Sequence, residues 1–387
     1  MVAASPASAL AMHFALVTET YPPEVNGVAL TVQHLHDGLI ALGHRVELVR
    51  PRRPSEEAAE SEGLLLAPSL PLPRYPNLRF GLPIGRRLLA RWRRMPPDAV
   101  YIATEGPLGW SALRAARRLG IAVATGYHTR FPEFMRHYRL SALAPLAERW
   151  LRRFHNRAQA TLVPTRALCE ELGRRRYAAP RLLARGVDTA LFHPARRDEA
   201  LREALGVGRD GLLVIYVGRI APEKNLALAV RAFRAIHARR PDARYLWVGD
   251  GPAREGLARE NPDFLFTGTL RGEALARHFA SADLFLFPSL TDTFGNVVLE
   301  AMASGVATVA YDDGAAREHL AEGSGLRVRP CDEEGFIASA LQLALADEAR
   351  WHTGHAARLT AERLDHGRVA RDFAELLASL AAARAAA

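Results

Sequence analysis

The sequence predicts an α/β protein made of two Rossmann-like, doubly wound domains. Three observations carry that prediction. Short apolar runs alternate with segments of helical period almost throughout, which is the pattern of parallel βαβ units. The alternation restarts after GVDTALFHPARRDE (186–199), a polar, turn-rich stretch that reads as an interdomain linker and places the domains at 1–187 and 188–387. Glycine turns such as VGDGP (248–252) close the apolar runs, at the strand ends where open α/β sheets bind ligands.

In the first half, HFALVT (13–18), RVELVR (45–50), AVYIAT (99–104), IAVAT (121–125) and ATLVP (160–164) read as strands. Intervening stretches such as VALTVQHLHDGLIALG (28–43) read as helices. The second half repeats the scheme with LLVIYVG (212–218), RYLWVGD (244–250), FLFTG (264–268), DLFLFP (283–288) and ATVAY (307–311). The last helix has the option of packing back on the first domain, and the closing AAARAAA is expected to fray.

A chain of 387 residues, 49% hydrophobic and 24% charged, can bury two cores and is not disordered. Cys169 and Cys331 lie far apart in no metal or redox spacing, so no disulfide framework is expected and the compartment is a reducing cytoplasm. The start, MVAASPASALAMHFALV, lacks a basic region and runs straight into a strand, so it does not read as a signal peptide. No apolar run is long enough to span a bilayer.

Charge is divided unevenly. Residues 1–200 hold 29 arginines against 17 Asp or Glu, and residues 201–387 hold 22 basic against 25 acidic side chains. The net charge of +9 therefore belongs to the first half. There, IGRRLLARWRRM (84–95) sets arginines around Leu88, Leu89 and Trp92, a combination suited to peripheral contact with an anionic membrane, on the inner face of the cell membrane. A solvated basic helix in an arginine-biased chain is the other reading. No nucleic-acid motif is present, and no nucleic-acid partner is expected.

The stretch GRIAPEKNL (218–226) holds Lys224, the one lysine among 51 basic residues. Either it is an accident of composition or it stands where a compact ammonium cannot be exchanged for a planar guanidinium. Arg219 and Lys224 follow the strand LLVIYVG and precede a helix that Asn225 is placed to cap. Two cations and the free N–H groups of a helix start suit an anion, a diphosphate foremost. GxxxxGK[ST] is absent, so this is no Walker A loop. A surface loop that merely carries charge is the alternative.

Two further stretches join it. In VGDGPAREGL (248–257), Gly249 and Gly251 would let a nucleotide approach the backbone. In FPSLTDTFGNVVLEAMASG (287–305), Asp292 lies in a loop, Phe294, Gly295 and Asn296 open a helix, and Glu300 sits within it. Carboxylates so placed can accept hydrogen bonds from sugar hydroxyls, while the Gly295 and Asn296 amides face an anion. A helix-surface charge is the other reading of Glu300, but VVLEAMA is apolar, and an unpartnered carboxylate there is costly.

With these motifs in order, the chain resembles the retaining GT-B glycosyltransferases of family 4, in the subgroup of bacterial α-mannosyltransferases and sulfoquinovosyl- and glucosyl-lipid synthases. The resemblance runs from TETYPPEVNGVALT (18–31) through YHTRFPEF (127–134) and GVDTALFHP (186–194) to TDTFGNVVLEAMASG (291–305). It implies two domains facing each other across a cleft, with a nucleotide-sugar held mainly by the second. Arg219 and Lys224 would neutralise its diphosphate, Glu300 would bind the ribose and Asp292 the transferred sugar. Gly27, with Asn26 beside it, would let the first loop approach the phosphates or reacting sugar, and His128 would sit by the sugar. The acceptor would dock on the first domain.

Two departures stand out: the family's Glu–Glu pair begins here with the shorter Asp292, and the first loop has Asn26-Gly27 where many relatives carry two glycines. No DxD motif or Cys/His cluster occurs, so no metal and no cofactor are expected, and fixed cations with backbone dipoles must stabilise the leaving diphosphate. The leading expectation is transfer of a hexose, mannose from GDP-mannose, to a lipid or glycan acceptor. UDP-sugar-dependent glycolipid synthesis (glucose, glucuronate or sulfoquinovose) is the alternative. An epimerase or hydrolase of the same fold, or a non-catalytic nucleotide-sugar binder, is a more distant one.

Overall fold

The computed structural model describes residues 11–24, 26–56, 61–72, 75–128, 144–290 and 292–386. The start of the chain and most of YHTRFPEF lie outside the described residues. Two compact units result: one gathers Met1–His128, Pro145–Ala184 and Gly367–Ala387, the other is built on Arg185–His366.

The first unit runs β1 (His13–Val17), α1 (Gly27–Ala41), β2 (Arg45–Pro51), β3 (Leu64–Ala67), a hairpin of β4 (Ser69–Leu72) and β5 (Tyr75–Gly81), α2 (Gly85–Arg94), β6 (Ala99–Ile102) and α3 (Pro107–Arg118). It continues with β7 (Ala122–Gly126), α4 (Ala144–His155), β8 (Ala160–Val163), α5 (Arg166–Arg174) and β9 (Pro180–Leu182). Seven parallel strands form its sheet in the order β3-β2-β1-β6-β7-β8-β9. Helices cover both faces, so the central strands are buried throughout: Phe14 to Val17 and Ala99 to Ile102 are all fully enclosed.

The second unit runs α6 (Glu199–Ala204), β10 (Leu213–Val217), α7 (Leu226–Arg239), β11 (Arg244–Val248), α8 (Arg254–Glu260), β12 (Leu265–Gly268), α9 (Gly272–Ser281) and β13 (Leu284–Phe287). Then follow α10 (Asn296–Ala303), β14 (Ala307–Tyr311), α11 (Gly314–His319), β15 (Leu326–Val328), α12 (Glu333–Leu345) and α13 (Asp347–Ala361). Its sheet is parallel, six-stranded, in the order β12-β11-β10-β13-β14-β15. In each sheet the strand order reverses once, between β1 and β6 and between β10 and β13, which sets one topological switch point per unit.

The last helix, α14 (His366–Ala385), belongs to the first unit. Phe373 and Leu377 enter that unit's core, Phe373 packing edge-on to Tyr101 with centroids 5.0 Å apart. The Ala-rich end expected to fray is helical as far as Ala385. Packing of the preceding turns extends the helix into it, and the Arg384 guanidinium donates to the Gly120 carbonyl (3.2 Å).

The stretch 186–199 is not a free linker. Val187 and Phe192 are buried in the second core, and Val187 pairs with the 364–365 segment, its N–H donating to the Leu364 carbonyl (2.9 Å). Apolar residues at 187 and 192 outweigh its polar composition.

The segment 84–95 requires a larger correction. Leu88 and Trp92 of α2 are 0% and 1% exposed, inside the core with Ile84, and Leu89 packs against the same cluster. The Trp92 indole donates to Glu47 of β2 (2.8 Å), and the Arg91 guanidinium pairs with the same carboxylate. The apolar stripe expected to meet lipid is committed to the protein's own interior. Removing Glu47 would leave the buried indole without its acceptor and take a carboxylate from Arg91, which keeps the Ser61 and Glu62 carbonyls, so Glu47→Ala should cost about 2 kcal/mol. A lowered unfolding midpoint in chemical denaturation checks this; an unchanged midpoint refutes it.

Candidate functional site

Strand β10 lies between β11 and β13, so the loops leaving β10 and β13 diverge at the carboxyl end of the second sheet. The first of these loops carries Gly218 to Asn225. A single 3-10 turn, Pro222–Lys224, is followed by Asn225 in the left-handed region (φ 55°), a conformation asparagine tolerates better than most residues. Asn225 occupies the N-cap position of α7, yet its side chain makes no capping bond, contrary to the expectation. Its left-handed backbone, which turns the chain from one helix to the next, takes the place of a side-chain cap.

The turn delivers Lys224 to the loop after β13, where its Nζ lies 2.8 Å from Asp292 Oδ1. Both side chains are half-buried. Arg219, from the same loop as Lys224, stands 3.4 Å from the buried carboxylate of Glu223, and the Tyr216 hydroxyl donates to the Arg219 carbonyl (3.1 Å). An ammonium has three protons, so the Asp292 bond leaves donors for another oxygen ligand.

Asp292 Oδ2 and Glu300 Oε2 are both shielded from solvent, and neither has a hydrogen-bond partner among the described residues. Burial pushes the Glu300 carboxyl up to about 7. A buried carboxylate oxygen without a donor is costly, so each of these two, eight positions apart in sequence, is able to accept a hydrogen bond from a hydroxyl donor. Gly295, at φ 88°, is the N-cap of α10, and a Cβ there would press 3.2 Å from the Phe287 ring, which accounts for glycine. Asn296 is the first residue of the helix, with its amide at the free end.

Phe294, read as opening the helix with Gly295 and Asn296, turns its ring inward. Its ring is 6% exposed, in the core and edge-on to His319, while its carbonyl accepts the Ala315 N–H (2.6 Å). Phe294 anchors the loop rather than lining it. Gly249 (φ 141°) and Gly251 (φ 156°) are likewise explained by backbone contact: a Cβ on the first would collide with the Gly218 carbonyl oxygen, and on the second with that of Ile220. These glycines let the 249–251 turn cross beneath the lysine loop, and the Ile220 N–H donates to the Asp250 carbonyl (2.9 Å).

The first unit has its own cluster at the carboxyl end of its sheet. The Asn26 side chain is occupied twice, its Oδ1 accepting the Ala29 N–H (2.8 Å) as N-cap of α1 and its Nδ2 donating to Thr20 Oγ1 (2.7 Å). It holds the loop in shape, which leaves exposed Gly27 as the approachable part of the turn. His128, just after β7, has its Nε2 2.7 Å from the Tyr101 hydroxyl. A Cβ at Gly126 would collide with both groups, so glycine is required for them to meet.

Two residues here escaped the sequence reading. Tyr101 looked like one more apolar strand residue; its hydroxyl orients His128. Glu19 accepts the N–H groups of Gly81 and Leu108 (3.0 Å to the latter), and its own N–H donates to Thr104 Oγ1 (2.8 Å). It joins the loops after β1 and β6 across the first switch point, and burial pushes its carboxyl up to about 7. The available signal was a charged residue directly after an apolar strand, FALVTE.

Comparison with known proteins accords with the two-unit fold. Residues 25–191 match the family described as Glycosyltransferase Family 4, and residues 211–346 match Glycosyl transferases group 1. A GDP-mannose-dependent alpha-mannosyltransferase of Mycolicibacterium smegmatis is 35% identical, over 90% of this chain and 92% of that protein. A sulfoquinovosyl transferase of Arabidopsis thaliana is 32% identical over 91% of this chain and 71% of its own. Among solved structures, sucrose-phosphate synthase from Thermosynechococcus elongatus superposes with a TM-score of 0.76 at 20% identity, covering 96% of this chain and all of that one. With two Rossmann-like units and matches along nearly its whole length, the chain belongs to glycosyltransferase family 4: it is a retaining GT-B hexosyltransferase that draws on a nucleotide-sugar donor.

Proposed function

We propose that the enzyme transfers mannose from GDP-mannose to a lipid or glycan acceptor without a metal ion. The observation that carries the reading is the pair of buried, unpartnered carboxylate oxygens, Asp292 Oδ2 and Glu300 Oε2, the first on the carboxylate that holds the Lys224 ammonium. Glu300 accepts the ribose hydroxyls. Asp292 orients Lys224 through Oδ1 and accepts a hydroxyl of the transferred sugar through Oδ2. Arg219, Lys224 and the amides at Gly295 and Asn296 take up charge on the diphosphate as it leaves. Gly27 presents its backbone to the phosphates or the reacting sugar, and His128, oriented by Tyr101, contacts that sugar.

In the transfer step the bond from the sugar's anomeric carbon to the β-phosphate oxygen breaks, and its electron pair goes to that oxygen. The acceptor oxygen bonds to the same face of the carbon while the β-phosphate takes its proton, giving retention of configuration. The likeness to a GDP-mannose-dependent enzyme supports mannose as the sugar. The likeness to a sulfoquinovosyl transferase favours a second reading, a UDP-sugar donor.

Three outcomes test these assignments. In a thermal-shift panel containing EDTA, GDP-mannose should raise the melting point more than UDP-glucose, UDP-glucuronate or UDP-sulfoquinovose, and mannose should be the sugar transferred. A larger shift with a UDP-sugar selects the second reading, and transfer that requires added Mg²⁺ or Mn²⁺ refutes metal independence. Lys224→Ala should lower kcat roughly a hundredfold, about 3 kcal/mol, with a smaller loss in nucleotide binding. Lys224→Arg should fall between it and wild type, because a planar fork cannot occupy an ammonium's place against Asp292; a wild-type rate in this variant refutes the assignment.

The third test concerns pH. A carboxyl that loses its proton near pH 7 is a better acceptor above that value than below it. GDP-mannose affinity should therefore rise roughly tenfold from pH 6 to pH 8, and Glu300→Gln should flatten the profile. Calorimetric titration at the two pH values checks this; a slope surviving in Glu300→Gln assigns it to another group.

A further inference from the structure

Trp110, Arg114, Arg117 and Arg118 of α3 surround an open depression of about 480 Å³ together with Arg153 of α4 and Arg157 just beyond it. On each helix the residues recur at helical spacing, so each presents a single stripe. Elsewhere on the chain arginines face carboxylates, as Arg234 does Asp263 and Arg240 does Asp242. Among the described residues, none of the five arginines in the depression forms an ion pair.

Their packing also concentrates like charge. The Arg157 guanidinium lies over the Trp110 ring, 5.0 Å from its centroid, with its Nη1 buried and lacking a partner among the described residues. Arg117 is tied to the same corner, donating to the Arg157 carbonyl (2.9 Å). Burial, then the neighbouring Arg153, Arg117 and Arg114, lower the Arg157 pKa. Holding several cations together without an anion is unfavourable, and a phosphate group, with its negative charge and several acceptor oxygens, relieves the repulsion and satisfies forked guanidinium donors.

The surroundings identify the carrier of that phosphate. Trp150 stacks at a tilt against Trp110 with centroids 4.8 Å apart, yet it is 41% exposed, and Leu146, one turn earlier on α4, is 66% exposed. A dissolved phosphate has no use for an apolar ledge. A lipid surface does, since headgroup phosphates and the upper acyl region lie side by side. We propose that this face of α3 and α4 docks on an anionic bilayer, phosphates in the arginine depression and Trp150 and Leu146 in the interface. The proposal deepens the lipid-acceptor reading and rests on it, and it moves the contact surface from α2, whose apolar stripe is buried, to α3 and α4.

The test uses the full chain with phosphatidylglycerol or phosphatidylcholine vesicles in co-sedimentation. Binding to the anionic vesicles should weaken with salt and fall about a hundredfold in Arg114→Gln/Arg117→Gln/Arg153→Gln, at roughly fivefold per arginine. Replacing Arg86, Arg93 and Arg94 of α2 with Gln should cost less. Tryptophan emission should shift to the blue on anionic vesicles in wild type and not in Trp150→Phe, a variant that leaves the arginines in place. Equal binding to the two lipids, or full binding by the triple variant, overturns the proposal. So does a triple variant that loses only a thermal shift given by pyrophosphate, because the depression would then serve a dissolved anion. Transfer from GDP-mannose to a water-soluble acceptor, measured in parallel, reports on the transferase reading separately and should be unchanged in the triple variant.

Discussion

The ion pair between Lys224 and Asp292 is the constraint on which the second unit's site depends. It joins the loops leaving β10 and β13, so residues 68 positions apart meet at the switch point. Half-buried pairs of this kind contribute little net stability, because desolvation offsets most of the attraction. Position is what the pair provides. Asp292 gives one oxygen to the lysine and keeps the other unpartnered, and Lys224 is held with protons still available. The first unit meets the same topological problem differently: Glu19 joins the loops after β1 and β6 by accepting backbone N–H groups.

Such junctions require backbones to pass close together, which is the physical role of several glycines. The 249–251 turn and the 218–220 loop are in direct contact, and at Gly249 and Gly251 a side chain would occupy the space of a carbonyl oxygen. Gly314 stands in the same relation to the Phe294 carbonyl. These contacts fix the height of the lysine loop and of the start of α10 above the sheet. A glycine turn after a strand therefore has two separate explanations, and at 249 and 251 protein packing alone is sufficient.

What could be read from the sequence followed from burial on two faces. Central parallel strands are unbroken apolar runs, and all ten strands expected from them are present within a residue or two of the expected ends. The edge strands β3, β9 and β15, with the hairpin, escaped notice because they are three to seven residues long and pattern weakly. Side-chain roles were harder to read. Asn26, Phe294 and the apolar face of α2 are each engaged inside the protein by partners 3 to 45 residues away, which local spacing does not display. Likewise, the arginine depression needs two stripes about 40 residues apart, and no single stretch of sequence displays it.

The two cationic places also bear on why a chain with 50 arginines keeps one lysine. Where phosphates are to be gripped at a surface, forked guanidinium groups suit the task and crowding them is tolerated, as Arg157 over Trp110 illustrates. At the junction of β10 and β13 the demand differs. One cation must fit between two loops, satisfy a single oxygen of Asp292 at 2.8 Å and, on the proposed mechanism, turn its remaining protons towards charge that grows as a bond breaks. A guanidinium would tend to engage both oxygens of Asp292 in a fork and so consume the oxygen that the proposed mechanism assigns to the sugar. An ammonium is a point charge without a plane, and it divides the carboxylate between the two tasks. On this reasoning the lysine persists because its partner has to serve something else as well.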